Sequence, residues 1–331
     1  NFTYQYQFLP TWLLELSYQG SAGVKHLNSW NINVIRPDIS TDRAVLDQIY
    51  LNSQPYRPYP QFGGVNLWSN FGHSSFHSGN VKVEKRLSSG LNMTSHYTWG
   101  KVMDEAADND GAASGITYYN RSLEKARAGY DLSHRWVTYL TYELPLGKGR
   151  KWMTRGGAID YLLGGWNISW VQTFQTGPPI NIGMAGSPNR YLPTVSSRPI
   201  QLLPNDQVIV KDWKIGDRFN NNLKNPMWNI NAFAYPASYT FAGAVGRNTI
   251  DGPPMNWSQA SFAKNIKVLE DYNLDVRFDI QNVFKSPNFS RPNSAVNLIN
   301  PGTFGKPTGT VGGWCCLGGS FAGTLVVKFW F

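Results

Sequence analysis

The segment LDVRFDIQNVF, residues 274–284, alternates apolar and polar side chains strictly from Leu274 to Gln281. One face carries Leu274, Val276, Phe278, Ile280 and Phe284, with Asn282 as its single polar member. The other face carries Asp275, Arg277, Asp279 and Gln281. Alternation at period two predicts a β-strand with one side in an apolar medium and the other in a polar one.

Eight further segments repeat this pattern, and we predict a strand in each. They are residues 2–8, 11–19, 76–87, 91–99, 135–144, 166–175, 257–269 and 324–331. The predicted connections alternate in length. Those at 9–10, 88–90 and 271–272 are short and the one at 145–165 is moderate, whereas 21–75, 101–133, 176–256 and 285–322 are long and rich in Gly, Pro, Asn and Ser.

A soluble β-sandwich shows the same alternation, so the asymmetry of the connections decides between the two architectures. Outer-membrane barrels combine tight periplasmic turns with long extracellular loops and carry aromatic girdles at the membrane interfaces. Girdle candidates are Trp99, Trp136, Tyr142, Trp152, Tyr161 and Trp166, whose alternative role is as buried core aromatics. We therefore predict an all-β, transmembrane, antiparallel up-and-down outer-membrane β-barrel that occupies residues 1–331 as one domain.

The composition agrees with this prediction. The chain is 41% hydrophobic and 15% charged, with no apolar run near the roughly 20 residues that a membrane-spanning helix requires. A barrel strand escapes that test because only alternate residues face lipid. The net charge of +9 is scattered along the chain rather than clustered, so we predict no nucleic-acid binding.

Several motifs carry a resemblance to a known family. The terminal strand TLVVKFWF, residues 324–331, resembles the signal by which outer-membrane barrels are recognised for assembly, which assigns that role to Phe329 and Phe331. FDIQNVFKSPNF, residues 278–289, resembles the penultimate-strand motif of TonB-dependent receptors. Segments 80–101, 130–152 and 164–182 resemble the Oar-like branch of these receptors, which bears a carboxypeptidase-regulatory domain.

The resemblance implies that residues 1–331 form the C-terminal portion of a 22-stranded barrel, with the family's signal peptide, TonB box and plug domain absent from this sequence. The implied function is energised uptake or export of a substrate too large for porins, in the outer membrane of a Gram-negative-type bacterium. The implied partners are the lipid bilayer, the TonB complex through the plug, the barrel-assembly machinery and an extracellular ligand. Alternatives are a surface-display or adhesion protein on a receptor-like barrel and, less in keeping with the motifs, a passive porin.

The alternation also selects candidates for the lumen of the barrel, whose alternative role is charge pairing between neighbouring strands. They are Lys82, Glu84, Arg86, His96, Arg135, Glu143, Asp275, Arg277, Asp279 and Lys328. The histidines show no metal-ligand spacing and no nucleophile-elbow serine is present, so we predict neither an enzyme nor a cofactor. The basic segment at Lys148, Arg150 and Lys151 is either a contact for anionic lipid headgroups or a solvated turn.

Three further groups of residues have two or more interpretations. Trp213, Trp228, Tyr235 and Tyr239 are candidates for ligand contact, although we favour a small internal core of an ordered loop. Asp104, Glu105, Asp108 and Asp110 offer oxygen ligands for calcium, although a solvated acidic loop is favoured. Adjacent Cys315 and Cys316 have three alternatives, which are a vicinal disulfide, two free thiols or bonds to other partners. A vicinal disulfide would be strained, because neighbouring Cα atoms lie closer together than disulfides prefer.

Overall fold

The computed structural model describes residues 1–36, 39–105, 118–152, 157, 160, 163–185, 198–211, 213, 225–236, 244–267, 272–311 and 321–330. Sixteen strands lie within these ranges, most of them in one antiparallel sheet. None of the helices found there is both long enough and apolar enough to cross a membrane.

The main sheet contains ten strands. They are β1 (Phe2–Leu9), β2 (Trp12–Asn31), β3 (Asn66–Ser88), β4 (Leu91–Glu105), β5 (Lys125–Arg127), β6 (His134–Glu143), β7 (Trp166–Gln175), β13 (Met255–Lys267), β14 (Asn273–Gln281) and β16 (Ala322–Trp330). Their order is β1-β2-β3-β4-β6-β7-β13-β14-β16, and β5 pairs with the C-terminal end of β4. All nine predicted strands are confirmed, and each pairs with the next one in sequence.

The connections of the main sheet lie at two opposite edges. These are the two ends of the strands, not the edge strands of the sheet. We call the end with the tight turns at 10–11 and 89–90 the turn end and the opposite end the loop end. Ser89 and Gly90 have φ angles of 53° and 81°, the combination that a two-residue type I′ hairpin requires. A Cβ at residue 90 would meet the Glu143 carbonyl oxygen at 2.8 Å, so this turn depends on glycine.

Two long strands make the first predicted loop shorter than the sequence pattern suggested. β2 continues to Asn31 and β3 begins at Asn66. Residues 21–31 and 66–75 are therefore paired strands, whereas the sequence pattern predicted that they belong to a loop. β4 likewise continues to Glu105. The prediction failed because these extensions are rich in Ser, Gly, Asn and His, and a hairpin held by backbone hydrogen bonds does not need an apolar face.

β14 ends at Gln281 rather than at Phe284. Asn282 has a φ of 49°, and its side chain accepts a hydrogen bond from the Ser286 amide and donates one to the Ser286 carbonyl, both at 2.9 Å. An asparagine side chain commonly closes such a turn on its own backbone. The one polar residue on the apolar side of this segment therefore marks the end of the strand.

The remaining elements belong to the connections at the loop end. They are β8 (Pro179–Ile180), β9 (Gly183–Met184), β10 (Ile200–Gln201), β11 (Phe233–Ala234), β12 (Ile250–Asp251), β15 (Ala295–Val296), the helices α1 (Arg43–Leu51) and α2 (Asn205–Val208), and 3-10 turns at Gln54–Tyr56, Arg121–Glu124, Ile230–Ala232 and Pro301–Thr303. Three small sheets join β10 to β11, β12 to β8 and β15 to β9.

An apolar core holds the connections after β7 and β14 together. Its buried members are Ile180, Ile182, Val208, Met227, Trp228, Ala232, Phe233, Val245, Ile250, Val296 and Phe304. Trp228, Phe233 and Phe304 form its aromatic centre, with ring centroids 5.5 to 5.8 Å apart. We call this unit the loop assembly. A second, smaller core of Ile35, Leu46 and Ile49 orders the connection between β2 and β3.

Candidate functional site

The register of the main sheet gives it one apolar face. Tyr4, Leu16, Val81, Tyr97, Trp136 and Phe174 are partners across six successive strands. A second row joins Leu140, Trp170, Ala260 and Ile280 across the strands that follow. Most of these large side chains are exposed or half-buried, as expected of a surface that contacts lipid rather than a protein core.

The opposite face is polar. Gln5, Glu15, Lys82 and His96 are cross-strand partners, and further along the sheet Asp275 pairs with Lys328. Strand alternation places all ten lumen candidates predicted from the sequence on this one face. They are Lys82, Glu84, Arg86, His96, Arg135, Glu143, Asp275, Arg277, Asp279 and Lys328.

Side chains on the polar face bond to one another. Lys82 Nζ lies 3.0 Å from Glu84 Oε2, and Arg277 Nε lies 3.0 Å from Asp279 Oδ2. Ser261 donates to Asp279 at 2.6 Å, and Trp330 Nε1 donates to Asp275 at 2.6 Å. Both ion pairs lie within a single strand, β3 or β14, so the charge pairing between neighbouring strands considered from the sequence stays a prediction. The ion pairing that the structure shows on this face runs along each strand. It is compatible with a wet surface, because such exposed pairs keep access to water.

Aromatic rings form two bands on the apolar face. Trp99, Trp136 and Phe174 lie toward the loop end, while Tyr142 and Trp166 lie toward the turn end. Trp166 and Phe174 are separated by roughly 27 Å of strand, close to the apolar band of about 25 Å that outer-membrane barrels present to lipid. The bands agree with the predicted girdles. Trp152 is exposed in the connection after β6, and Tyr161 lies outside the described residues.

Two lysines on the apolar face bend toward the turn end, and the sequence pattern did not single them out. Lys85 Nζ donates to the carbonyls of Ser88 and Leu91 and lies 5.9 Å from the Trp12 ring. Lys264 Nζ lies 5.8 Å from the Trp166 ring. Long cationic side chains near the end of a spanning segment place the charge at the polar boundary in this way.

Buried ion pairs fix the loop assembly to the connection between β4 and β6. Arg198 Nη2 lies 2.7 Å from Glu124 Oε2, and Arg247 Nε lies 3.8 Å from the same carboxylate. Arg247 also pairs with Asp104 at the loop end of β4. Burial lowers the pKa of the Arg198 guanidinium below its ordinary value, and the adjacent Glu124 charge opposes that shift.

The predicted acidic loop differs from the structure at its first two residues. Asp104 is not solvated, because its side chain is 1% exposed and paired with Arg247. Glu105 lies 3.2 Å from His73 and 3.9 Å from Arg121. Asp108 and Asp110 lie outside the described residues. Within the described part of the chain, no three His, Cys, Asp or Glu side chains come together as a metal site would require, and calcium binding stays a prediction.

The loop aromatics divide between core and linking roles. Trp228 is fully buried at the centre of the loop assembly, which confirms the core alternative for that residue. Trp213 packs against the same core and contacts Phe289 edge-on at 5.1 Å. The Tyr235 hydroxyl donates to the Ala185 carbonyl and accepts from the Leu298 amide. Tyr239, Cys315, Cys316 and Phe331 lie outside the described residues.

Two cavities lie near the loop end. One, of about 510 Å³, is on the apolar face, and its walls include Tyr97, Trp136, Phe174 and Met255. The other, of about 410 Å³, lies between the connections themselves and is lined mainly by polar residues. The second cavity is therefore the better candidate for binding a hydrophilic ligand.

A sheet with one apolar and one polar face, tight turns at one end and long connections at the other defines a membrane-spanning β-barrel protein. The chain belongs to the family described as outer membrane beta barrel domain, which it matches over residues 1–313. The predicted fold class and the predicted location in the outer membrane of a Gram-negative-type bacterium are thus confirmed. The turn end is periplasmic and the loop end is extracellular.

The chain is similar to the crystal structure of the outer membrane transporter YddB from Escherichia coli, with 8% sequence identity and a TM-score of 0.49. The similarity covers 99% of this chain and 31% of that one, so the chain spans about a third of the length of that transporter. No curated protein matches the sequence.

Proposed function

We propose that this chain is part of the barrel of a TonB-dependent receptor of the Oar-like branch, which moves a substrate too large for porins across the outer membrane. The observation that carries the proposal is the single polar face, on which all ten lumen candidates lie opposite an apolar face. In a closed barrel that face lines a wet lumen through which a hydrophilic substrate passes.

The edges of the sheet support a larger barrel. Among the described residues β1 pairs with β2 alone and β16 with β14 alone. An unpaired edge in hydrocarbon leaves backbone N–H and C=O groups without partners, which costs several kcal/mol for each group. We therefore propose that further strands close the barrel, that residues 1–331 form its C-terminal portion, and that the barrel-assembly machinery recognises the last strand through Phe331 and Phe329.

The energy source in this proposal is the TonB complex, acting through a plug domain inside the lumen. The test reconstitutes the full-length gene product in liposomes and measures swelling in small sugars beside a general porin. We expect no swelling together with cross-linking to the periplasmic domain of TonB. Porin-like swelling would instead assign a passive channel, and an absence of cross-linking would remove TonB from the mechanism.

A surface-display function is the second candidate, and the long hairpin of β2 and β3 favours it. β2 has 20 residues, whereas a strand crosses the membrane with about 9–11. Roughly half of the hairpin therefore projects outward, where it can present the smaller core around α1. Deleting residues 32–65 separates the two functions, because display requires this tip and transport through the lumen does not.

A further inference from the structure

The polar cavity of about 410 Å³ is built by four separate parts of the chain at the extracellular end. They are the connection before β6, the end of β8, the residues before β12 and the residues before β15. The polar residues that line it are Tyr130, Asn181, Arg247, Asn248, Arg291 and Ser294.

Arg291 is the exposed cationic side chain of the cavity. Its Nη2 donates to the Gly129 carbonyl at 3.0 Å, and the side chain forms no ion pair within the described part of the chain. The residue is exposed, so its other N–H groups are accessible to a ligand. A guanidinium in this state matches the two oxygens of a carboxylate.

Arg247 has a different role. It is buried and bonded to Asp104 and to the Glu124 carbonyl, so its charge is already matched. These bonds fix one wall of the cavity to β4 and to the Arg121–Glu124 turn. Asn248 extends that wall, because its side-chain amide donates to the Arg127 carbonyl at 2.8 Å. The cavity is therefore preorganised rather than formed only on binding.

The remaining groups suit a sugar. Tyr130 is 63% exposed at the cavity, and an exposed ring offers a flat apolar surface beside its hydroxyl. Asn181 contributes an amide and Ser294 a hydroxyl, which can donate to and accept from sugar hydroxyls. We propose that this cavity binds an acidic sugar, with its carboxylate on Arg291 and its ring against Tyr130. This inference rests on the proposed function, for which it names the class of substrate.

The test uses calorimetry on the full-length protein in detergent, with digalacturonate as the probe and maltose as the neutral control. We expect saturable binding of digalacturonate and none of maltose. Arg291→Gln should weaken binding by roughly tenfold or more, since a charge-assisted pair is lost. Arg150→Gln, which alters an exposed arginine of the periplasmic turn, should leave binding unchanged.

Tyr130→Ala provides a second, independent readout. It should weaken digalacturonate binding while leaving the folded fraction unchanged, because the ring is exposed. Equal binding of maltose, unaltered affinity in Arg291→Gln, or no saturable heat would overturn the assignment. Binding by a protein that fails the TonB test would keep the site and remove the energised transport, so the two proposals fail separately.

Discussion

Arg198 and Glu124 form an ion pair between the loop assembly and the connection after β4, with Nη2 and Oε2 at 2.7 Å and side chains only 5% and 2% exposed. We predict that Glu124→Ala destabilises the loop assembly by about 3–5 kcal/mol, because it leaves a buried guanidinium without its carboxylate. Hydrogen exchange of amides in residues 225–236 measures this loss. The matched control is Glu143→Ala, which breaks the exposed pair with Arg150 and should cost about 0–1 kcal/mol. Equal effects would contradict the structural role of the buried pair.

The faces of β14 give a second prediction. Ile280 lies in register with Ala260 and Trp170 on the apolar face, and its neighbour Gln281 lies on the polar face. Ile280→Arg should cost on the order of 2–4 kcal/mol near the middle of the bilayer, whereas Gln281→Arg should be nearly silent. Urea titrations of the barrel in lipid vesicles measure both. Similar losses at the two positions would show that the faces are assigned wrongly.

The turn after β14 depends on one side chain. Asn282→Ala removes the two hydrogen bonds to Ser286 and leaves a residue with a Cβ at a φ of 49°, so we expect a loss of about 1–3 kcal/mol. Asn282→Gly removes the same bonds without the backbone strain and should lose less. The free energy of unfolding of the two variants decides this, and the reverse order would refute the account of the turn.

Two glycines of β3 and its hairpin turn form a matched pair. Gly90→Ala places a Cβ at a φ of 81° and 2.8 Å from the Glu143 carbonyl oxygen, so it should destabilise the barrel by at least about 1 kcal/mol. Gly79→Ala meets no atom within 4 Å and should be neutral or slightly stabilising. Thermal unfolding of both variants is the measurement, and a harmless Gly90→Ala would argue against the two-residue turn.

The last strand leads to a prediction about assembly. Phe329, Val327 and Leu325 share the apolar face of β16, whereas Trp330 lies on the polar face and bonds to Asp275. Deleting Phe331 from the full-length protein should lower its level in the outer membrane, and Trp330→Ala should do so less. Surface labelling with fractionation measures both levels. A normal level after the deletion would disprove the role assigned to Phe331.

Most of the candidate site was predictable because the faces of a strand are a local property. The alternation around Lys82, Arg135 and Arg277 assigns each to one side before any pairing is known. The contacts of those residues were not predictable, since they depend on register. Lys85 and Lys264 illustrate the limit, because each lies on the apolar face and only the aromatic ring and carbonyl groups near it explain the position.

The sequence by itself determined the nine strands, their two faces and the contrast between short turns and long loops, because each follows from neighbouring residues. Only the tertiary structure decided how far the strands extend and what the loops do. Asp104 and Arg247 are 143 positions apart, and nothing local distinguishes a solvated aspartate from a buried one. Pairing across that distance depends on the fold of the whole loop assembly, which the apolar core around Trp228 stabilises.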